Sequence, residues 1–132
     1  CWHFVVVTDP AVKEMVALAG NGNKWMDRAP VIIVACADPE KPAMRDDIPN
    51  YLVDIGIVVE HLVLAATERG LGTCWVGAFR EDLIKEALGV PENIRIVECI
   101  PLGYPAQDPA PRSRKSLEEI FSYNRFEQKD GG

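Results

Sequence analysis

The sequence predicts a single domain that mixes helices and strands, and three observations carry that expectation. Short β-branched apolar runs alternate with segments whose apolar residues recur at helical spacing. Gly, Pro, Asn and Asp mark the turns between them. The chain of 132 residues is also long enough to bury one adequate core. The alternation alone fits a parallel βαβ sheet, whereas one dominating apolar helix and the lack of a glycine-rich strand-to-helix turn fit an α+β arrangement equally well. Pattern leaves both open.

Residues 3–8, His3-Phe-Val-Val-Val-Thr8, read as a buried strand. Asp9 is a helix cap and Pro10 suits the first turn, after which Val12, Met15, Val16 and Ala19 keep helical spacing until Gly20-Asn-Gly22. Residues 23–30 form a connector carrying Trp25, and Val31-Ile-Ile-Val-Ala-Cys-Ala37 is a second buried strand. The polar, proline-rich stretch that follows, to Pro49, is a long loop of the kind that is functional or mobile at this length.

Asn50 is expected to cap a helix over residues 51–69, roughly 28 Å long. Asp54, His61 and Glu68 recur every seven residues, with Glu60 and Thr67 beside two of them, so its polar groups make one narrow stripe. Its remaining faces are more apolar than one small sheet can cover, which calls for further helices or a partner subunit.

Gly70-Leu-Gly72 stops that helix and residues 73–78 read as a third strand. Residues 80–88 form an amphipathic helix, with Leu83, Ile84, Ala87 and Leu88 on one side, Glu81 and Asp82 near its start and Gly89 past its end. Residues 93–102 alternate imperfectly through Ile94, Ile96, Val97, Cys99 and Ile100, as a fourth strand. Residues 107–111 are proline-broken and extended, Arg112-Ser-Arg-Lys115 is the dense basic cluster, and residues 116–123 return to a short helix. The domain is therefore expected over residues 1–126, with residues 127–132 as a disordered tail.

A net charge of −6 and a pI near 4.9 argue against nucleic-acid binding. The longest clean apolar run, Val31 to Ala37, falls short of the roughly 18 residues of a membrane span, so no membrane association is expected. Cys1, Cys36, Cys74 and Cys99 show no CxxC spacing and no histidine at zinc-ligand distance, so no metal is expected. Three of them lie in apolar strand-like runs and read as small buried hydrophobes of a reduced, cytoplasmic protein without a secretory signal. Because Cys1 stands directly before an apolar run, an upstream piece is expected.

Gly70-Leu-Gly-Thr-Cys-Trp75 carries the first two glycines of a dinucleotide fingerprint, but Trp stands at the third place and the order is helix to strand, so a Rossmann site is rejected. A helix stop explains both glycines. It leaves Trp75-Val-Gly77, where a flat bulky group beside glycine lets backbone approach a planar ligand. Arg112 and Arg114 stand two apart in an extended segment, so both project to one side and can grip a phosphate with two guanidinium forks. Spacing alone favours a solvated basic turn, while Pro109 and Pro111 favour a fixed position. His3 and His61 lack a nucleophile or carboxylate at a diagnostic spacing, and no side chain is nominated as catalytic.

Ala29-Pro-Val-Ile-Ile-Val-Ala-Cys-Ala-Asp38, Asp54-Ile-Gly56, Leu64-Ala-Ala66, Gly70-Leu-Gly-Thr-Cys-Trp-Val-Gly77 and Ile100-Pro-Leu-Gly-Tyr-Pro105 together resemble the nitroreductase family of FMN flavoproteins. Pro111-Arg-Ser-Arg-Lys-Ser-Leu-Glu-Glu-Ile120 and Tyr123-Asn124 extend the likeness. The resemblance implies an α+β fold, an α/β/α sandwich with a mainly antiparallel central sheet, built as an intertwined homodimer. It implies a long central helix at the subunit interface and a C-terminal arm, here residues 116–126, that reaches the partner.

By the same resemblance FMN lies in the dimer groove, with Cys74, Trp75, Val76 and Gly77 beside the isoalloxazine and Arg112 and Arg114 on the phosphate. NAD(P)H is the implied electron donor and a small nitroaromatic or quinone the implied acceptor. Dehalogenation, flavin fragmentation and a non-catalytic flavin-binding or dimeric remnant are the alternatives. The family's opening Arg-Arg-Ser-x-Arg and Asn-x-Gln-Pro-Trp patterns are absent except for Trp2, which implies an N-terminally truncated member with a weakened flavin site.

Overall fold

The computed structural model describes residues 2–40 and 48–127. Cys1, most of the expected long loop before Pro49 and residues 128–132 of the expected tail lie outside the described residues. Four strands, β1 (Trp2–Val7), β2 (Val31–Ala37), β3 (Gly72–Thr73) and β4 (Arg95–Gly103), form one sheet in the order β1-β2-β4-β3. Every pairing is antiparallel, which decides the alternative that pattern left open: the fold is α+β, not a parallel βαβ sheet.

Helices cover both faces. The side chains of β2 alternate, sending Ile32, Val34 and Cys36 to one face and Ile33, Ala35 and Ala37 to the other. The first face packs against α1 (Pro10–Leu18), a 3-10 helix at Lys24–Arg28 and α3 (Glu81–Leu88), through Val16, Met26 and Ile84. The second packs against α2 (Asn50–Glu68) through Ile55 and Val59. A sandwich of helix, sheet and helix results.

Several expectations hold in detail. Asp9 caps α1 by accepting hydrogen bonds from the Ala11 and Val12 N–H groups, both at 3.0 Å. Gly89 closes α3 in the left-handed region at φ 65°. The imperfect alternation of β4 has a cause: Ala35 pairs with Glu98 and Cys36 with Ile96, so Val97 is an inserted bulge residue. The insertion turns Ile96 and Cys99, three apart, toward the same core.

Other expectations need correction. The third strand, read over residues 73–78, is two residues long; beyond it only Val76 touches the sheet, as an isolated bridge to Cys99. Two glycines and the bulky Trp75 leave little to sustain a ladder there. The connector after α1 holds the 3-10 helix, and Pro49, not Asn50, is the N-cap of α2. The terminal helix shrinks from residues 116–123 to α4 (Leu117–Ile120), which is started by a Ser116–Glu119 capping box and has no buried residue to extend it.

α2 is long and apolar enough to cross a membrane by length and composition, with a mean hydropathy of 1.4, which the reading of apolar runs did not register. Here it lies along the sheet, with Ile55 and Val59 buried and Leu52, Ile57 and Leu64 about half exposed.

Candidate functional site

The site is built at the β3 edge of the sheet. Gly72 pairs with Gly103 and Thr73 with Leu102, and Val76 and Cys99 exchange both backbone hydrogen bonds at 3.0 Å. Residues 74–77 therefore leave the ladder after Thr73 and rejoin it at Val76, whose side chain enters the core. Cys74, Trp75 and Gly77 face outward, with Trp75 40% exposed. The expectation that Cys74 is a buried hydrophobe fails, whereas Cys36 and Cys99 are buried thiols. Burial, then the neighbouring Glu98 and Cys36, push the Cys99 thiol up to about 12, so it is an inert part of the packing.

The far end of the strip is tied down from the α1 side. Arg80 N–H donates to the Ala19 carbonyl at 2.8 Å, and the Asn23 amide Nδ2 donates to the Ala78 carbonyl at 3.4 Å. Asn23 also accepts from the Trp25 indole Nε1 at 3.2 Å. A strip fixed at Val76 and again at Ala78 and Arg80 is a preformed surface rather than a free loop.

Beneath the strip lies a residue that reading along the chain passed over. The Val76–Cys99 bridge sets Gly77 opposite Glu98, and both carboxyl oxygens of Glu98 lie 3.2 Å from the point a Cβ would occupy at Gly77. Glu98 Oε2 is buried and has no hydrogen-bond partner among the described residues, and burial pushes the acid's pKa up. The signal was available as the one charge inside Ile96-Val-Glu-Cys-Ile100, but its position under the strip follows from pairing between strands.

Arg112 and Arg114 sit on the extended, exposed segment that leaves the sheet after β4. It departs beside the start of the strip, because Gly103 pairs with Gly72 and Pro105 packs 3.2 Å from the Cβ position of Gly72. Arg114 Nη1 donates to the Ser113 carbonyl at 3.2 Å. The structure thus brings Cys74, Trp75 and Gly77 to one surface, anchored by the buried Val76 side chain, and leaves the arginine pair on its own segment. Among the described residues, no group of three or more His, Cys, Asp or Glu side chains is arranged to hold a metal.

An exposed indole, a glycine that leaves its surface open and an unpartnered carboxyl oxygen fit a flat ligand with hydrogen-bonding edges. The model of the nitroreductase family matches residues 8–104. A putative NADH dehydrogenase/NAD(P)H nitroreductase of Archaeoglobus fulgidus is 34% identical over 111 residues, which is 81% of this chain and 63% of that protein. An FMN reductase [NAD(P)H] of Bacillus subtilis is 30% identical over 144 residues, 96% of this chain and 57% of that one. A crystal structure of a nitroreductase family protein from Clostridium novyi superposes with a TM-score of 0.73 at 41% identity, covering 79% of this chain and 62% of the other. The chain spans about three-fifths of the length of these proteins.

Proposed function

The chain belongs to the nitroreductase family, and from that premise we propose that it is the FMN-holding domain of an oxidoreductase that uses NAD(P)H. The outward strip of residues 74–77, pinned by the Val76–Cys99 bridge and carrying a half-exposed Trp75, is the observation that carries this reading. Cys74, Trp75, Val76 and Gly77 form the wall for the isoalloxazine, and Arg112 and Arg114 supply two cationic forks for the phosphate. The name of the Bacillus subtilis relative supports both FMN and NAD(P)H.

FMN, when bound, supplies the redox chemistry, accepting a hydride from NAD(P)H and passing electrons to a small acceptor such as a nitroaromatic or quinone. The chain's own residues bind and orient. Trp75 keeps water from one ring face, Val76 anchors the strip through its buried side chain and its bridge to Cys99, Gly77 permits close approach, and the arginine pair fixes the phosphate end. None of them needs to act as nucleophile or general base.

Two further parts belong to this reading. The chain pairs as a homodimer, supported by the exposed Leu52, Ile57 and Leu64 of α2 and by a C-terminal segment whose Leu117, Ile120, Phe121, Tyr123 and Phe126 are all exposed. It works in the cytoplasm, in keeping with the free thiols Cys36, Cys74 and Cys99.

The test is to titrate the purified chain with FMN, follow quenching of flavin fluorescence, and then measure NAD(P)H oxidation with a quinone. Saturable quenching and FMN-dependent turnover are expected. A chain that leaves flavin fluorescence unchanged at millimolar FMN would sink the reading.

A further inference from the structure

Glu98 is explained by neither the core nor the sheet. Its neighbours across the sheet are both small, Ala35 on β2 and Gly77 in the strip. The carboxyl lies against Gly77, with both oxygens 3.2 Å from its Cβ position, so a side chain at 77 would press on it. A buried oxygen without a partner is rare in folded proteins, because burying it unpaired is unfavourable, and Glu98 Oε2 receives no hydrogen bond among the described residues. An apolar side chain at this place would leave no such polar atom unpaired, so a carboxyl here calls for a hydrogen-bond partner beyond the described residues.

We propose that Glu98 is a further cofactor-facing residue, whose carboxyl reaches the strip through the gap at Gly77 and hydrogen-bonds the FMN ring. The proposal rests on the FMN reading above and adds a contact from β4, whose Ile96, Cys99 and Ile100 are core residues. Burial favours the neutral acid, which has one O–H to donate and lone pairs to accept. A flavin ring edge carries an imide N–H and carbonyl oxygens, so it matches both capacities. Gln keeps a donor and an acceptor at the same length, while Met keeps the length and removes both.

FMN affinity of the 132-residue chain, read by fluorescence quenching, and the visible band of the bound flavin test this. Glu98→Met is expected to weaken FMN about tenfold and shift the band, and Glu98→Gln to stay within about threefold of the unaltered chain. Gly77→Ala, whose Cβ would press on both carboxyl oxygens, is expected to weaken FMN in the same direction. Glu98→Met with unchanged affinity and band would overturn the proposal, as would Glu98→Gln as weak as Glu98→Met. Should Glu98→Met fail to fold by circular dichroism, Glu98→Ala takes its place, and undiminished FMN binding there overturns the contact. An unaltered chain that binds no FMN overturns the cofactor reading itself and this contact with it, whereas binding indifferent to residue 98 overturns the contact alone.

Discussion

Glu81 and Arg95 form a two-pronged ion pair that ties the first turn of α3 to the start of β4. Arg95 Nε donates to Oε1 and Nη2 to Oε2, both at 2.9 Å, and the Ile96 N–H donates to the same carboxylate at 2.9 Å. Lys85 Nζ approaches to 3.8 Å. Through this clasp α3 is held to the strand that carries Glu98 and Cys99, and α3 begins where the strip ends.

Glu81→Gln is therefore expected to destabilise the fold by about 1 kcal/mol at pH 7, a value lowered from that of a buried charged hydrogen bond because Arg95 is half exposed. Burial pushes the Glu81 carboxyl up, but the hydrogen bonds from Arg95 and Ile96 and the charges of Arg95 and Lys85 outweigh it and hold the group below the usual carboxylate range. A depressed folded pKa stabilises above the unfolded value of about 4.3, and that contribution disappears as pH falls through the folded pKa. Urea unfolding at pH 7 and pH 3 should show the gap between the two proteins closing at the lower pH. A gap constant across that range would mean the carboxylate's charge is not what holds the clasp.

Gly103→Ala tests why the Ile100-Pro-Leu-Gly-Tyr-Pro105 segment needs its glycine. A Cβ there would stand 2.5 Å from Pro30 Cδ, and a proline ring cannot swing aside as a long side chain can. The expected cost is about 1–3 kcal/mol, seen as a lowered melting temperature. An unchanged melting temperature would show that the Ala29–Pro30 backbone yields freely.

What was legible in the sequence was local. Asp9 and Gly89 are side-chain and backbone solutions to helix ends, and they read directly from residue type. Val31 to Ala37 was legible as a strand because seven apolar residues bury both faces of a central strand. The antiparallel order was not, since periodicity reports which face is buried and not which strand lies alongside; only the likeness in its ordered motifs supplied it. Residues 73–78 were read as a strand by composition, but a ladder needs partners, and β4 offers them only at Gly103, Leu102 and Cys99. Cys74 to Gly77 were legible as site candidates because Trp beside Gly is odd in a core strand. Glu98 was hidden because its meaning depends on a bulge at Val97 and on a cross-strand neighbour 21 positions away in sequence.

Arg112→Ala combined with Arg114→Ala is expected to weaken FMN by tenfold or more, since a charge-assisted hydrogen bond contributes roughly 1.5–3 kcal/mol and 1.4 kcal/mol is a factor of ten. Both side chains are exposed and packed against no core residue, so melting temperature should hold while affinity falls. The loss should shrink as salt rises, because exposed charges act through a screened field. Unchanged affinity in the double variant would leave the cluster as a solvated basic turn.

α2 has two apolar sides and one sheet to cover them. Ile55, Val59 and Ala66 are buried, whereas Ile57 and Leu64, seven residues apart and so on one helix face, are 54% and 57% exposed. Leu52 adds to the exposed apolar surface, and few monomers leave so much of a long helix bare. Water alone is a poor solvent for that face, so a second copy is expected to cover it. Ile57→Lys with Leu64→Lys changes only exposed positions and should leave the monomer's own fold within about 0.5 kcal/mol. In the dimer the same lysines would be desolvated without a partner charge, and association should fail. Sedimentation of the unaltered chain at micromolar concentration should therefore give a dimer, and the double variant a folded monomer by circular dichroism. A monomeric unaltered chain would remove the homodimer, and a variant that still dimerises would move the interface away from this face of α2.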